Sequence, residues 1–324
     1  MKKVLVNTRT FGKYSSIPFD LLRDAGLEIV SVEGEDIAGY LKEVDALIVG
    51  TTPVTGSMLR GSKVKIIAKH GVGVDNIDVV TATELGIPVT ITRGANSSSV
   101  AELALTFILA LSRNIISAHY EVFYEHSWPN VIGVEINEKV LGLLGFGAIA
   151  RELSVKARCL GMKVIAYDAF VKREEIIEQG AEPVDFHEVF ERSDFVSIHV
   201  PLNKYTRNMI GEAELKRMKR TSFLINTARG NIVDEEVLAR ALKEKWIAGA
   251  ALDVFAEEPL SSISPLLECE NLIVTPHIGA HTKEAIHKMN IMAAQAVIDF
   301  FEGHIPLEVV NKEVLLKKFN FRGM

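Results

Sequence analysis

The chain has 324 residues, with 36 Lys or Arg against 42 Asp or Glu, a formal net charge of −6, and 48% hydrophobic content. At roughly 150 residues per domain this predicts two domains, each burying its own core, and the apolar content excludes a disordered chain. The acidic balance gives no reason to expect a nucleic-acid binder, and the two cysteines, Cys159 and Cys269, lack the CxxC spacing of a zinc ribbon or redox motif and fit a reducing cytoplasm.

Along the first ninety residues, short apolar runs at 3–6, 27–30, 46–49 and 64–68 alternate with helical patterns such as 19–25. Strands a helix apart imply parallel βαβ units with right-handed crossovers. The opening run ends at Asn7, too short for a signal-peptide core, and the longest apolar stretch, 103–111, is about half of the roughly 20 residues a membrane helix needs. A soluble, non-exported protein is expected. Gly26 and Gly86 follow helical stretches where a left-handed C-cap is wanted. The small polar segment 92–99 breaks the pattern, and we read it as an interdomain crossing with a serine N-cap before a long apolar helix over 100–116.

A second alternating series follows, with strands predicted at 140–144, 163–167, 195–199, 222–226, 248–252 and 272–275, then an amphipathic helix at 289–301 closed by Gly303. Directly after the first of these strands stands Gly145-Phe146-Gly147-Ala148-Ile149-Ala150. In a GxGxx(G/A) turn the first glycine permits the tight bend, the second admits a pyrophosphate, and the small third residue lets helix and strand pack closely. The next strand ends in Asp168, 23 residues beyond Gly145, close to the ~20 expected for the acid that binds ribose hydroxyls. A carboxylate there repels a 2′-phosphate, which favours NAD over NADP, although Lys172 and Arg173 stand close by.

Arg229, Glu258 and His277 follow strands or turns late in this series, where an open α/β sheet places its ligand. Arginine offers a bidentate grip on a carboxylate, and histidine exchanges a proton near neutrality. A glutamate paired with that histidine raises its pKa and fixes its tautomer. Taken singly, each also fits an ordinary strand-end or turn residue.

Together these segments resemble the D-isomer-specific 2-hydroxyacid dehydrogenases, particularly the short D-3-phosphoglycerate dehydrogenase branch. The resemblance runs through 69–78, Asn96-Ser97 with Ala101-Glu102, 145–150, His199-Val200-Pro201-Leu202, 226–230, 251–255, 257–260 and 276–280. It implies two doubly wound parallel-sheet, Rossmann-like domains. The NAD-binding domain, 98–284, is inserted into a flavodoxin-like substrate domain made of 1–97 and 285–324. It further implies that His277 is the general acid/base, Glu258 its partner, and Arg229 the ligand of substrate carboxylate and carbonyl. Lys69, Gly71, Val72, Gly73 and Asn96 would join Arg229 and His277 in binding substrate, with the backbone amides of Gly71–Gly73 on the carboxylate. Gly145, Gly147, Ala148, Ile149, Asp168, Val200, Thr227, Ala228, Asp253, His277, Gly279 and Ala280 would hold NAD, Asp253 at the nicotinamide amide. Hydride transfer needs donor and acceptor carbons within about 3–3.5 Å, so domain closure is expected, with a hinge near Gly94. A formate dehydrogenase of this family would carry Gln in place of Glu258.

The expected reaction is therefore NAD-dependent oxidation of D-3-phosphoglycerate to 3-phosphohydroxypyruvate, a step of serine biosynthesis. The match weakens where the phosphoglycerate branch places an arginine after its third strand: here the chain reads Val49-Gly50-Thr51-Thr52-Pro53. Lys69 and Arg93 are the candidate replacements, and the alternative is that both are solvated surface charges. The chain also ends before the regulatory domain of longer phosphoglycerate dehydrogenases, so serine feedback through such a domain is not expected. A glyoxylate/hydroxypyruvate reductase of the same family needs no phosphate pocket. An NAD-sensing corepressor shares the fold, but no basic arm or disordered tail supports it. The segment that follows the long apolar helix, with Tyr120, Phe123, Tyr124 and Trp128, is more aromatic than an isolated domain face requires; core packing is one reading, and the resemblance implies a homodimer through an arm over 100–128. Nothing in the spacing of Cys and His implies a metal, and neither nucleic acid nor membrane is an expected partner.

Overall fold

Most of the apolar runs are buried on both faces, as the inner strands of a parallel sheet must be, whereas those at 27–30 and 272–274 are only part-buried. Residues 1–34 and 36–318 are described by the computed structural model, and they form two units: 1–96 with 281 onward, and 97–280.

The first unit begins β1 (Lys2–Asn7), α1 (Ile17–Asp24), β2 (Leu27–Ser31), β3 (Ala46–Val49), α2 (Gly56–Arg60), β4 (Ile66–Lys69), α3 (Val79–Glu84) and β5 (Val89–Thr90). The strands pair in parallel in the order β2-β1-β3-β4-β5, the flavodoxin-like arrangement. All four residues of β3 are fully buried. Gly26 and Gly86 have the left-handed φ of +72° and +70° that ends their helical stretches.

The second unit contains α4 (Ser97–Ser112), α5 (Ile115–Phe123), β6 (Val140–Leu144), α6 (Ala148–Cys159), β7 (Lys163–Tyr167), α7 (Arg173–Glu178), β8 (Glu182–Pro183), α8 (Phe186–Arg192), β9 (Phe195–Ile198), α9 (Glu212–Arg217), β10 (Phe223–Asn226), α10 (Glu235–Lys243), β11 (Gly249–Leu252) and β12 (Leu272–Val274). Its sheet is wholly parallel, in the order β12-β11-β10-β9-β6-β7-β8. Counted from β6, this is the dinucleotide-fold order 3-2-1-4-5-6 with a seventh strand added. The strand order reverses between β6 and β9, so the glycine-rich turn after β6 opens at the switch point. Returning to the first unit, the chain forms α11 (Lys283–Glu302), which packs Ala293, Ala294 and Val297 on the first sheet, and α12 (Glu313–Lys318).

Three sequence expectations are corrected. The serines expected to precede the long helix lie inside its first turn, and Ser97 and Ser99 are buried, the latter donating to the Gly279 carbonyl at 2.6 Å. The helix does not run to Ile116: Asn114 takes a left-handed φ of 51°, and α4 and α5 diverge by 63°. Asparagine tolerates that conformation better than other side chains, whereas hydrophobic periodicity carries no mark of it. The helix expected over 289–301 starts at Lys283, where Thr282 accepts the Ala285 amide at 3.1 Å; a polar first turn hid its beginning. The two-residue strands β5 and β8 were too short to be read from the sequence. Among the described residues no single helix is long and apolar enough to cross a membrane, although the bent pair α4–α5 has the length and composition together.

Candidate active site

Every residue expected to contact the cofactor lies beyond the carboxyl end of a strand in the seven-stranded sheet: Gly145 to Ile149 after β6, Asp168 after β7, Val200 after β9, Thr227 and Ala228 after β10, Asp253 after β11, and His277 to Ala280 after β12. The turn itself demands glycine at its first position. Gly145 has a φ of +94°, and a Cβ there would stand 2.8 Å from the His199 carbonyl carbon and 3.0 Å from Val200. Gly147 is the N-cap of α6 with no side-chain cap, and nothing lies within 4 Å of where its Cβ would stand. The first turn of α6 thus has no side-chain cap and open space beside Gly147, and a helix N-terminus of this kind is the form of site that accepts a phosphate. Asp168 is fixed from both oxygens: one accepts Phe146 N at 2.7 Å, the other Phe170 N and Val171 N at 2.8 and 3.0 Å. Of the two cations near it, Arg173 is turned toward Pro183 O at 2.8 Å and Asp185 at 3.4 Å. Among the described residues the buried Thr227 hydroxyl has no hydrogen-bond partner. An open cradle, a fixed carboxylate and an unsatisfied hydroxyl along one sheet edge fit a dinucleotide.

The proposed catalytic pair is formed. Glu258 Oε2 lies 2.7 Å from His277 Nδ1, and Glu258 Oε1 accepts Phe255 N at 3.1 Å. Each side chain is 36% exposed, so both are reachable from solvent. Burial opposes ionisation of Glu258, but the hydrogen bond and charge of His277, the Phe255 amide and the charge of Arg229 outweigh it and hold the carboxyl below its usual range. Glu258 is thus an acceptor for a Nδ1 proton, which leaves His277 Nε2 as the nitrogen that can exchange a proton with a ligand.

His277 has a φ of +54°, uncommon for a non-glycine residue, and Asp253 holds it there. The Asp253 carbonyl accepts His277 N at 2.9 Å. Its carboxylate accepts Thr275 Oγ1 at 2.6 Å, Ile278 N at 2.8 Å and Gly279 N at 2.7 Å. Asp253, expected at the nicotinamide amide, therefore spends its carboxylate on the His277 loop. Arg229 is positioned by two neighbours the sequence reading did not single out. Asn226 accepts Ala228 N at 3.0 Å and donates to Arg229 O at 2.9 Å, an Asx turn whose signal is an asparagine closing a strand. Gly230 presses on the next loop so closely that a Cβ would stand 1.9 Å from the Phe255 carbonyl carbon.

In the other unit, Lys69 is buried. Its Nζ donates to Gly50 O at 2.5 Å and Asn76 Oδ1 at 2.8 Å, and Asn76 in turn donates to Gly50 O and Thr52 O at 3.1 and 2.7 Å. Lys69 thus ties the loop after β3 to the loop after β4. Arg93 pairs with Glu308 at 2.6 Å. The Gly71 amide, expected on a substrate carboxylate, donates to Thr92 Oγ1 at 3.1 Å. Behind this loop, His70 Nε2 lies 2.7 Å from Asn290 Oδ1; because Asn290 Nδ2 donates to Thr10 O, His70 is the donor and carries its proton on Nε2. Burial, more than the nearby charges of Lys69 and His281, pulls this imidazole down to about 4, against the hydrogen bond to Asn290. The Asn96 Oδ1 atom is buried without a partner.

A dinucleotide fold that presents an imidazole–carboxylate pair and an arginine on the same sheet edge defines a nicotinamide-dependent oxidoreductase of hydroxy acids. The chain belongs to the D-isomer-specific 2-hydroxyacid dehydrogenases: residues 105–279 match the NAD-binding domain of that family, and the cofactor is NAD. The chain is 45% identical over 285 residues to a glyoxylate reductase of Thermococcus litoralis, a match covering 85% of this chain and 86% of that one. It is 40% identical to a D-3-phosphoglycerate dehydrogenase of Methanocaldococcus jannaschii over 86% of this chain and 53% of the other. A solved glyoxylate reductase structure from Paecilomyes thermophila has a TM-score of 0.84 at 29% identity, covering 96% of this chain and 99% of that one.

Proposed function

We propose that the protein reduces small, unphosphorylated 2-oxo acids of the glyoxylate and hydroxypyruvate type. The observation that carries this reading is the engagement of the two cations that phosphate recognition would need: Lys69 is buried between Gly50 and Asn76, and Arg93 is paired with Glu308. Freeing Lys69 would take the donor from the part-buried Asn76 Oδ1, at a cost of about 1–3 kcal/mol, which a phosphate contact would have to offset. The preference drawn from the sequence for 3-phosphoglycerate gives way on this point. The glyoxylate reductase of Thermococcus litoralis, matched over 86% of its length, supports the same reading.

When bound, NADH supplies the hydride that adds to C2 of the 2-oxo acid. Arg229 holds the substrate carboxylate and carbonyl. His277 Nε2 gives its proton to the carbonyl oxygen as negative charge develops there, while Glu258 stabilises the imidazolium and keeps the ring oriented. In oxidation the same nitrogen takes the proton back. Asp168 holds the adenosine ribose and, with Arg173 turned away, favours NADH over NADPH. The protein acts as a homodimer in which α5 is the contact. This nine-residue helix has no buried residue, and Ile115, Ile116, Tyr120, Phe123, Tyr124 and Trp128 are all exposed, an apolar face that needs a partner surface.

The test is NADH oxidation against a panel of 2-oxo acids. A kcat/KM for glyoxylate or hydroxypyruvate at least tenfold above that for 3-phosphohydroxypyruvate is expected, and the reverse order would reinstate the phosphorylated substrate.

A further inference from the structure

Ala256 is gripped through both of its backbone polar groups. Its N–H donates to Glu235 Oε1 at 2.6 Å, and its carbonyl accepts Asn231 Nδ2 at 3.2 Å. Asn231 and Glu235 belong to the segment that follows Arg229, and Ala256 lies two residues before Glu258 in the loop whose carboxylate meets His277. The adjacent Phe255 amide donates to Glu258 itself. Two consecutive amides of one loop thus each hold a carboxylate, and Gly230 packs against the same peptide. Asn231 is held in turn by Arg207 Nη1 at 2.8 Å.

We propose that Glu235 is a positioning residue for the acid/base pair: it fastens the loop of Glu258 to the segment carrying Arg229 and places a second negative charge behind the Glu258–His277 hydrogen bond. This rests on the reading of His277 as the acid/base. The groups facing Glu235 are Glu258 from the loop and Asp234 from the N-cap of its own helix. Arg229 and His277 act on Glu258 from the loops after β10 and β12. Burial raises the Glu235 carboxyl above its usual range, the Ala256 amide opposes that rise, and the charges of Glu258 and Asp234 add to it. Glu258 is held low, so on acidification Glu235 takes up its proton before Glu258 does.

The substitution Glu235→Gln keeps an oxygen for the Ala256 amide and removes the charge, whereas Glu235→Ala removes both. The His277 imidazole is followed by NMR titration in the native protein and both variants, alongside pH profiles of NADH-dependent glyoxylate reduction and thermal unfolding. Loss of the charge is expected to lower the imidazole midpoint by about half a pH unit in both variants. The alkaline limb of reduction, which needs protonated His277, moves to lower pH by the same amount. Loss of the amide contact in Glu235→Ala is expected to cut the plateau kcat several-fold below that of Glu235→Gln. Superimposed imidazole titrations in all three proteins would overturn the proposal, as would a loss of thermal stability with no change in titration. A shifted titration without a shifted rate profile would support the charge coupling and remove His277 from the chemistry, so the two readings fail separately.

Discussion

His277 adopts its left-handed backbone because the single buried carboxylate of Asp253 collects Thr275 Oγ1, Ile278 N and Gly279 N. Asparagine at that position can present one accepting oxygen, and its NH₂ would face a backbone N–H. We expect Asp253→Asn to lose about 1–3 kcal/mol in denaturant unfolding and to lower kcat with it. Activity and stability both at the native level would mean the clamp does not hold the loop. Gly230 poses a steric counterpart: a methyl group 1.9 Å from the Phe255 carbonyl carbon must move either the Arg229 turn or the Glu258 loop. Gly230→Ala is therefore expected to lower kcat/KM for the 2-oxo acid more than it changes NADH affinity, measured by steady-state kinetics and cofactor titration. Arg229, Glu258 and His277 were legible in the sequence because each follows a strand end in a recognisable motif. The Asp253 clamp, the Asn226 turn and the Lys69–Asn76 tie were not, because such bonds join residues whose pairing depends on strand order in space. Lys69 shows the difference: its charge reads from the sequence either as a phosphate ligand or as a solvated surface charge, and the side chain is buried, so it is not a solvated one.

At the scale of the elements, β-branched runs and glycine punctuation placed ten of the twelve strands, and the two-residue β5 and β8 carried too little pattern to be seen. Helix ends were harder, since Asn114 breaks the apolar run by backbone conformation alone and Lys283 begins a helix with a polar turn. The break at Asn114 matters because it sends α5 off at 63° with its apolar side chains uncovered. A lysine at Phe123, 63% exposed, should leave the fold of one subunit unaffected. Sedimentation at micromolar concentration is expected to give a dimer for the native protein and a monomer for Phe123→Lys. A monomer for the native protein would remove α5 as a contact.

For the whole molecule, two buried imidazoles set the response to acid. Burial lowers His199 from the ordinary 6.5 to about 4, and His70 is lowered equally. Both bind a proton less tightly folded than unfolded, so their contribution is complete above about pH 6.5 and is lost as pH falls towards 4. Each amounts to about 3 kcal/mol over that window. Urea unfolding at pH 7 and pH 4.5 should show this loss, and His199→Gln should flatten it; an equal pH dependence in native protein and variant would exclude His199 as a source. Composition and charge anticipated two units and an acidic chain but not which anion is bound, since the predicted contacts are Arg229, His277 and backbone amides. We propose that His277 moves the proton while hydride passes between NAD and a 2-hydroxy acid. The most direct test of this is the kcat for glyoxylate reduction by His277→Ala under saturating NADH. A fall of about 10²–10³-fold or more in kcat is predicted, and near-native turnover would exclude His277 as the acid/base.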